Sequence, residues 1–403
     1  MTNSLLTIDM ITREAIPLFL NTNAFIQSLD RQYDKYYAID GAKIGDTLRI
    51  RLPNDYTVTD GPAASFQSTN EQYTTLTLAY QRHIDTSFNS VDLTLKLSDY
   101  MERILLPKMN NLAGNCAAQI MSLTAGNAAN YVEYRVTSTL TAPQPLTWLL
   151  AGAALDNNSA SRGDRKIVMS PLTQAQSVDS LKALFNPQAV IGEQYRTGMM
   201  AKNTLGFDWM MDQTVETHTN GSATSGAVSG ADQTGTTLTI SALSGTFKKG
   251  DYITIDGVYA VNRVTKVSLG TLRQFVVTAD ASNGATSLSI FPAITPAVGG
   301  SNVQYQTVTA SPANGATINR VGTASETYVR NLAYWGKALT MGTADLVMPP
   351  NIDGARHVYD GISMRAVKQY MIGTDVLGDR LDILFGTATL RPEWVTTVAA
   401  PTS

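Results

Sequence analysis

The sequence predicts an α+β fold in which an all-β module interrupts a mixed helix-and-strand host. Three observations carry that reading. Residues 247–279 (FKKGDYITIDGVYAVNRVTKVSLGTLRQFVVTA) are rich in β-formers and punctuated by Gly-Asp and Asp-Gly turns. They sit in a weakly charged Gly/Ser/Thr/Ala-rich segment whose flanks differ in character on both sides. Residues 98–123 repeat apolar side chains near a 3.6 period and predict one long helix.

Residues 3–30 read as helix, with Leu5, Ile8, Ile11, Ala15, Leu18 and Phe19 near one face. Pro17 is a candidate break or kink. Followed by the polar stretch 33–37, this segment is either a docking arm or a helix folded onto its own core. Residues 47–52 (TLRIRL) alternate as a strand does, and residues 73–80 and 91–97 alternate again. Between the first two lie the turn markers Asn54-Asp55 and Gly61-Pro62. The pattern predicts a long β-hairpin arm with few core residues of its own. Such an arm is costly to order unless it lies on a neighbour; a plain surface hairpin is the alternative.

The helix at 98–123 has Asp99 as a cap and Glu102 as its box partner three residues on. Met101, Ile104, Leu105, Leu112, Cys116 and Ile120 trace one face, and Pro107 predicts a kink. At about 1.5 Å per residue it would span roughly 40 Å, a spine for a flat, extended subunit. Loop and strand are expected over 126–141, a short apolar helix at 146–155, a strand at 166–169, a helix at 178–185, and strand or loop over 197–215.

The tract NGSATSGAVSG (220–230) reads as a linker into the module. Strand candidates follow at 236–240, 252–255, 258–261, 274–279, 286–291 and 303–309. Their spacing predicts a small antiparallel barrel or sandwich. The exit is expected near SPANGATINR (311–320). Host character resumes over 328–348, Pro349-Pro350 breaks it, and 358–370 and 380–385 are sheet elements.

Composition narrows the function classes. The chain has 403 residues, enough for two or three domains. Only 16% of residues are charged, against a usual value of about 25%. Surfaces poor in charge tend to be covered by other surfaces. The net charge is -3, and no Lys/Arg block exceeds pairs such as Lys248-Lys249 and Arg165-Lys166. Counterion-release binding needs clustered cations, so sequence-specific nucleic-acid recognition is not expected. Cys116 is the only cysteine, which excludes an intramolecular disulfide. Asp9, Arg13 and Glu14 interrupt any signal-peptide core, and no stretch reaches the roughly 18 apolar residues of a spanning helix. A cytoplasmic origin without a membrane is the expectation.

Reaction chemistry is hard to place. His83, His218 and His357 lie far apart and lack Cys or His at metal-ligand spacing. No nucleophile elbow is present, and Gly336-Lys337 lacks the Ser/Thr of a phosphate loop. Arg162-Gly163-Asp164 reads as a turn. Asp251 and Asp256 flank a strand and fit turns. Asp375, Asp379 and Asp382 lack the spacing of a calcium loop. No cofactor and no catalysis are expected.

Several segments resemble one family in the right order along nearly the whole chain. They are SLLTIDM (4–10), GAKIGDTLRIRLPNDYTVTDG (41–61), SVDLTLKLSDYMERILLPKM (90–109), GDYITIDGVYAVNRVTK (250–266), LRQFVVTAD (272–280) and RPEW (391–394). Together they resemble the coat-protein family of short-tailed phages of the P22 type. The resemblance implies the Hong Kong 97-like capsid fold. Its parts would be an N-terminal arm (1–46), an extension-loop hairpin (47–90), a peripheral domain with the spine helix (91–145) and an axial domain (146–217). An inserted β-barrel (218–322) and a return to the axial and peripheral domains (323–403) would follow.

It further implies a shell of hexameric and pentameric capsomers enclosing double-stranded DNA. A procapsid would form with a scaffolding protein and portal, then expand on packaging. On that reading Tyr56, Asp60, Phe66, Tyr73, Lys248, Lys249, Asp251 and Asp256 are candidate inter-subunit contacts. Two rivals stand beside it. A tail or decoration protein fits the β content but not the spine helix. An enzyme with paired carboxylates, such as a glycosidase, lacks clustered catalytic residues.

Overall fold

The computed structural model describes residues 8–33, 47–52, 54–56, 58, 61–62, 66, 73–89, 101–134, 144–181, 203–297, 303–350, 352–373 and 376–401. Two compact units share the chain: residues 1–51, 73–120 and 339–390 form the first, and 52–72, 121–338 and 391–403 the second. The helices are α1 (Ile8–Thr22), α2 (Ala24–Ser28), α3 (Leu106–Ala125), α4 (Pro145–Asn157) and α5 (Pro171–Leu181). The strands begin with β1 (Asp30–Tyr33), β2 (Thr47–Arg51), β3 (Tyr73–Thr77), β4 (Tyr80–Asn89), β5 (Asn130–Glu133), β6 (Arg165–Met169) and β7 (Asp208–Met211). Then come β8 (Thr217–Thr219), β9 (Ser225–Ala227), β10 (Gly235–Thr239), β11 (Tyr252–Val261), β12 (Ser268–Val277), β13 (Ser287–Ile294) and β14 (Thr317–Val321). The last are β15 (Thr327–Trp335), β16 (Leu339–Ala344), β17 (Asp353–Tyr359), β18 (Ile362–Met371), β19 (Val376–Thr389) and β20 (Val395–Pro401).

The first unit is built on one sheet in the order β1-β16-β19-β18-β17, with β4 also paired to β19. The β17–β18 hairpin turns through Asp360 and Gly361, both at positive φ, as a two-residue turn matching strand twist requires. Helix α1 buries Ile8, Ile11, Ala15, Ile16, Phe19 and Leu20 and packs on β17 and β18. Each large apolar side chain among them contributes about 1.5–3 kcal/mol when fully buried. Residues 8–22 therefore cover their own sheet, and the own-core alternative replaces the docking arm there. Pro17 lies inside α1 without ending it.

The long helix expected at 98–123 departs from its expected form at the start. Met101–Leu105 form a π-turn, and α-helix begins only at Leu106. Pro107 has no N–H and its ring crowds the carbonyl four residues back; a widened turn relieves both. Asp99 lies outside the described residues. Leu105, Leu112, Cys116 and Ile120 are buried as their spacing predicts. Burial pushes the Cys116 thiol up to about 12, against a smaller pull from Arg82. Lys108 on the same helix meets Asp379 of β19 at 2.8 Å, with both side chains buried.

Strands β2 and β3 pair antiparallel from Thr47↔Thr77 to Arg51↔Tyr73, the hairpin that the alternation predicts. Leu48, Ile50, Leu76 and Leu78 pack with Ala344 and Leu384, so the base of the hairpin has a core. The strand expected at 91–97 lies outside the described residues.

The second unit holds two sheets. One has the order β5-β20-β15-β6-β7, with β8 on β15. Its core gathers Trp148, Leu155, Ile167, Met169, Phe207 and Trp209, with Trp148 and Trp209 edge-to-face at 5.1 Å. The other has the order β10-β13-β12-β11-β14-β9. The bridge Val228↔Ile240 links its two ends and closes it on itself. Phe247, Ile253, Ile255, Phe275, Leu288, Ile290 and Ile318 fill its interior.

Four expectations change here. The tract 220–230 contains β9 rather than a linker, because Ser225–Ala227 pair antiparallel with Thr317–Asn319 of β14. The expected exit at 311–320 contains β14, which pairs with β11 from Tyr252↔Val321 to Ile255↔Ile318. Residues 303–309 are not a strand: Val303–Tyr305 form a 3-10 turn and Val308 makes one bridge to Ala260. Helix α5 starts at Pro171, not 178, because the Ser170 hydroxyl accepts from the Thr173 N–H and Pro171 occupies the first turn.

A glycine tests the packing of the first unit. A Cβ on Gly386 of β19 would overlap the Thr77 carbonyl, whereas one on Gly378 of the same strand meets its nearest neighbours at 3.6 Å. Gly386→Ala should cost about 1–3 kcal/mol by denaturant midpoint, and Gly378→Ala distinctly less.

Candidate assembly surfaces and the junction of the closed sheet

Asp251 begins β-structure after the turn Lys248–Gly250, and its side chain is wholly buried. One carboxylate oxygen lies 2.8 Å from His218 Nε2 on β8. The other accepts the Lys248 N–H at 2.8 Å and the Gly221 N–H at 3.1 Å, and lies 2.9 Å from Arg320 Nη1. Burial pushes this carboxyl up, but His218, Arg320 and the two backbone donors outweigh it and hold the group below its ordinary range. Arg320 also lies over the Phe247 ring at 4.6 Å. Gly221 has no room for a Cβ, which would overlap the Thr246 carbonyl.

The next residue ties the closed sheet to the unit's other sheet, β5-β20-β15-β6-β7, the host sheet. The Tyr252 hydroxyl reaches the Ala128 carbonyl at 3.1 Å and Thr397 Oγ1 of β20 at 3.0 Å. Its ring lies 4.6 Å from that of Tyr131. Gln274 of β12 pairs both ways with the edge strand β5: its Oε1 accepts the Tyr131 N–H at 2.8 Å and its Nε2 donates to the Tyr131 carbonyl at 2.9 Å. Arg330 of β15 donates to the Gly250 carbonyl at 2.6 Å. Gly250 is at positive φ with Arg330 against it, so a larger residue is excluded twice.

The candidate contact residues divide by environment. Tyr56, Phe66 and Tyr73 are 63%, 97% and 56% exposed, and Val58 between them is 94% exposed. Arg49 covers one face of Tyr73 at 5.0 Å. Asp60 lies outside the described residues. Lys248 and Lys249 are exposed, and the Lys249 N–H donates to Asp280 at 2.7 Å. Asp256 is exposed and accepts from Asn319 at 2.8 Å. Asp251 is the correction: it is consumed by partners within its own chain and offers nothing to a neighbour. Its Gly-Asp turn is visible in sequence; its distant partners His218 and Arg320 are not.

Exposed apolar groups that the sequence reading does not single out are Ile372, beside Tyr370 and Met371, and Leu146 and Leu149 on α4. Asp55, in the segment after β2, pairs with Arg263 of the β11–β12 loop at 2.7 Å. The remaining histidines meet single carboxylates, His83 with Asp85 and His357 with Asp9. Asp382 is held by Arg365, and Asp379 by Lys108; Asp375 lies outside the described residues. Among the described residues no three His, Cys, Asp or Glu side chains are grouped to hold a metal. Arg162 turns back onto Asp156 at 3.2 Å, and Asp164 has positive φ, so the Arg-Gly-Asp triplet is a turn.

Removing the charge at the junction should be severe. Asp251→Asn leaves Arg320 buried against a neutral group and should cost about 3–5 kcal/mol in equilibrium unfolding. The folded carboxyl titrates below its unfolded value. Its contribution is therefore complete above about pH 4 and lost as pH falls further. The wild type should lose stability across that acid range, and Asp251→Asn should lose less.

Comparison with known proteins gives one family. Residues 19–398 match the family described as P22 coat protein, gene protein 5. A search of curated proteins gives no match. Among solved structures, one from Mycobacterium phage Che8 is 10% identical, covering 93% of this chain and 90% of its own, with a TM-score of 0.45. The capsid of cyanophage P-SCSP1u is 11% identical over 94% and 89%, with a TM-score of 0.44. The CUS-3 coat protein I-domain is 24% identical over 25% of this chain and 97% of its own, with a TM-score of 0.21. The chain belongs to the P22 coat protein family.

Proposed function

We infer that this member of the P22 coat protein family is the major capsid protein that builds the icosahedral head shell around the double-stranded DNA of a tailed bacteriophage. The observation that carries the inference is the family match, which runs through both compact units rather than one module. The role is structural, without catalysis.

The physics of a shell suits the chain. Each subunit in a closed lattice makes several moderate contacts at once, and multivalency supplies the strength. The exposed Tyr56, Val58 and Phe66 lie on a segment with little core of its own, as a strap that lies over a neighbouring subunit requires. Lys248, Lys249 and Asp256 on the closed sheet supply charged contacts to adjacent copies. A net charge of -3 leaves the wall without a strong pull on its DNA.

The parts take the following roles in this reading. Residues 1–46 are the N-terminal arm, whose helix α1 lies on its own sheet, 47–90 the extension loop and 91–145 the peripheral domain with the spine helix. Residues 146–217 are the axial domain, 218–322 the inserted barrel, and 323–403 the return to the axial and peripheral domains, in a Hong Kong 97-like subunit. Hexamers and pentamers assemble with a scaffolding protein and portal in the host cytoplasm. The shell then expands on packaging and persists in the virion.

Negative-stain electron microscopy of the purified chain, with and without a co-expressed scaffold, tests the reading. Closed shells of uniform diameter are expected; monomers or fibres under both conditions would overturn it. Tyr56→Ser with Phe66→Ser should leave the unfolding free energy within about 0.5 kcal/mol and sharply reduce the yield of closed shells.

A further inference from the structure

A cavity of about 470 Å3 opens in the second unit, lined by α4, β5 and the β11–β12 hairpin. Leu150, Ala153, Leu269 and Leu272 give it apolar walls, and Glu133 and Arg273 are the charged residues in its lining. Arg273 is 9% exposed, and its Nε has no hydrogen-bond partner. Among the described residues it forms no ion pair.

One nearby carboxylate, Glu393, answers this charge, and it is shared. Arg263 is committed to Asp55 at 2.7 Å and stands 3.7 Å from Glu393. Arg273 feels Glu393 as an opposing charge and Arg263 as a like one. Its opposing carboxylate is thus shared with Arg263, and Glu393 Oε2 is itself buried without a hydrogen bond. A buried guanidinium whose Nε lacks an acceptor and whose opposing carboxylate is shared is a costly arrangement that an incoming anion would relieve.

The lining selects the anion. A guanidinium presents parallel donors that fit a planar carboxylate or a phosphate. Glu133 opposes a second negative charge, which favours a monoanion. The leucine and alanine walls favour an anion carried on a hydrocarbon chain.

We propose that this cavity is a carboxylate-binding site, in which Arg273 receives the carboxylate and Leu150, Leu269 and Leu272 receive the chain that bears it. Two sources share that chemistry: an acidic side chain of a neighbouring copy, and a free short-chain carboxylate. The site stands apart from the shell reading; only the distinction between sources rests on it.

The test uses the full-length unassembled chain with labelled leucine methyls, titrated with hexanoate at fixed ionic strength. Saturable shifts at Leu150, Leu269 and Leu272 are expected, with a rise in Tm. Hexanol and inorganic phosphate at the same concentrations should produce neither. Arg273→Met, confirmed folded by circular dichroism, should bind at least about tenfold more weakly, the loss of one charge-assisted contact. If that variant fails to fold, the wild-type comparison of hexanoate with hexanol decides alone.

Absence of saturable shifts in the wild type overturns the proposal, as do equal shifts with hexanol or shifts with phosphate instead. Assembled shells separate the sources. A site filled by a neighbour accepts hexanoate only in the unassembled chain, whereas a site for a free carboxylate accepts it in both. Failure of shells to form would count against the proposed function and leave the titration intact.

Discussion

Asp251 is a carboxylate taken wholly out of water, and the second unit is arranged around meeting its needs. An ionised carboxylate in that position is tolerable only when every oxygen is supplied with donors. The partners come from three places in sequence. Lys248 supplies one donor from the turn, His218 of β8 and Gly221 supply two from the entry to the closed sheet, and Arg320 of β14 adds an opposing charge 2.9 Å away. Satisfying one charge therefore fixes where the chain enters the closed sheet, where it turns and where it leaves. Tyr252 and Arg330 then anchor that same turn to the host sheet. A closed sheet held this way is positioned by its own connections rather than suspended from them.

Periodic segments are legible in the sequence because their side chains alternate between core and solvent. The β2–β3 hairpin and the face of α3 follow from that periodicity, whereas β6, β10 and the two halves of β11 are legible from their runs of β-forming residues between turn markers. The segments that escape both have small or polar side chains. Around β9 the Gly/Ser/Ala composition looks like slack chain, yet Ser225–Ala227 pair antiparallel with Thr317–Asn319 of β14. Strand β14 carries a single fully buried apolar residue, Ile318, and its identity depends on pairing with β11. Residues 303–309 have strand composition, but only one bridge is available to them. Composition records which residues tolerate a conformation; partners decide it.

The candidate contacts show the same division. Exposure of Tyr56 and Phe66 can be anticipated, since aromatic residues in a turn-rich segment have no periodic core to join. Burial of Asp251 cannot, because His218 and Arg320 lie 33 and 69 positions away in sequence. A Gly-Asp pair usually marks a surface turn, and here the turn is real but faces inward. Low charge content points to a chain whose surfaces meet other surfaces, and membership of a coat-protein family gives that observation its reason.

The central physical claim is that the closed sheet and its host sheet form one cooperative body through Asp251 and Tyr252. Native-state hydrogen exchange tests it directly, by comparing amides of β11, β12 and β14 with those of β15 and β20 across low denaturant. The account predicts that both sets open with the same free energy and the same denaturant dependence. Closed-sheet amides opening separately, at lower free energy and with a smaller dependence, would contradict it.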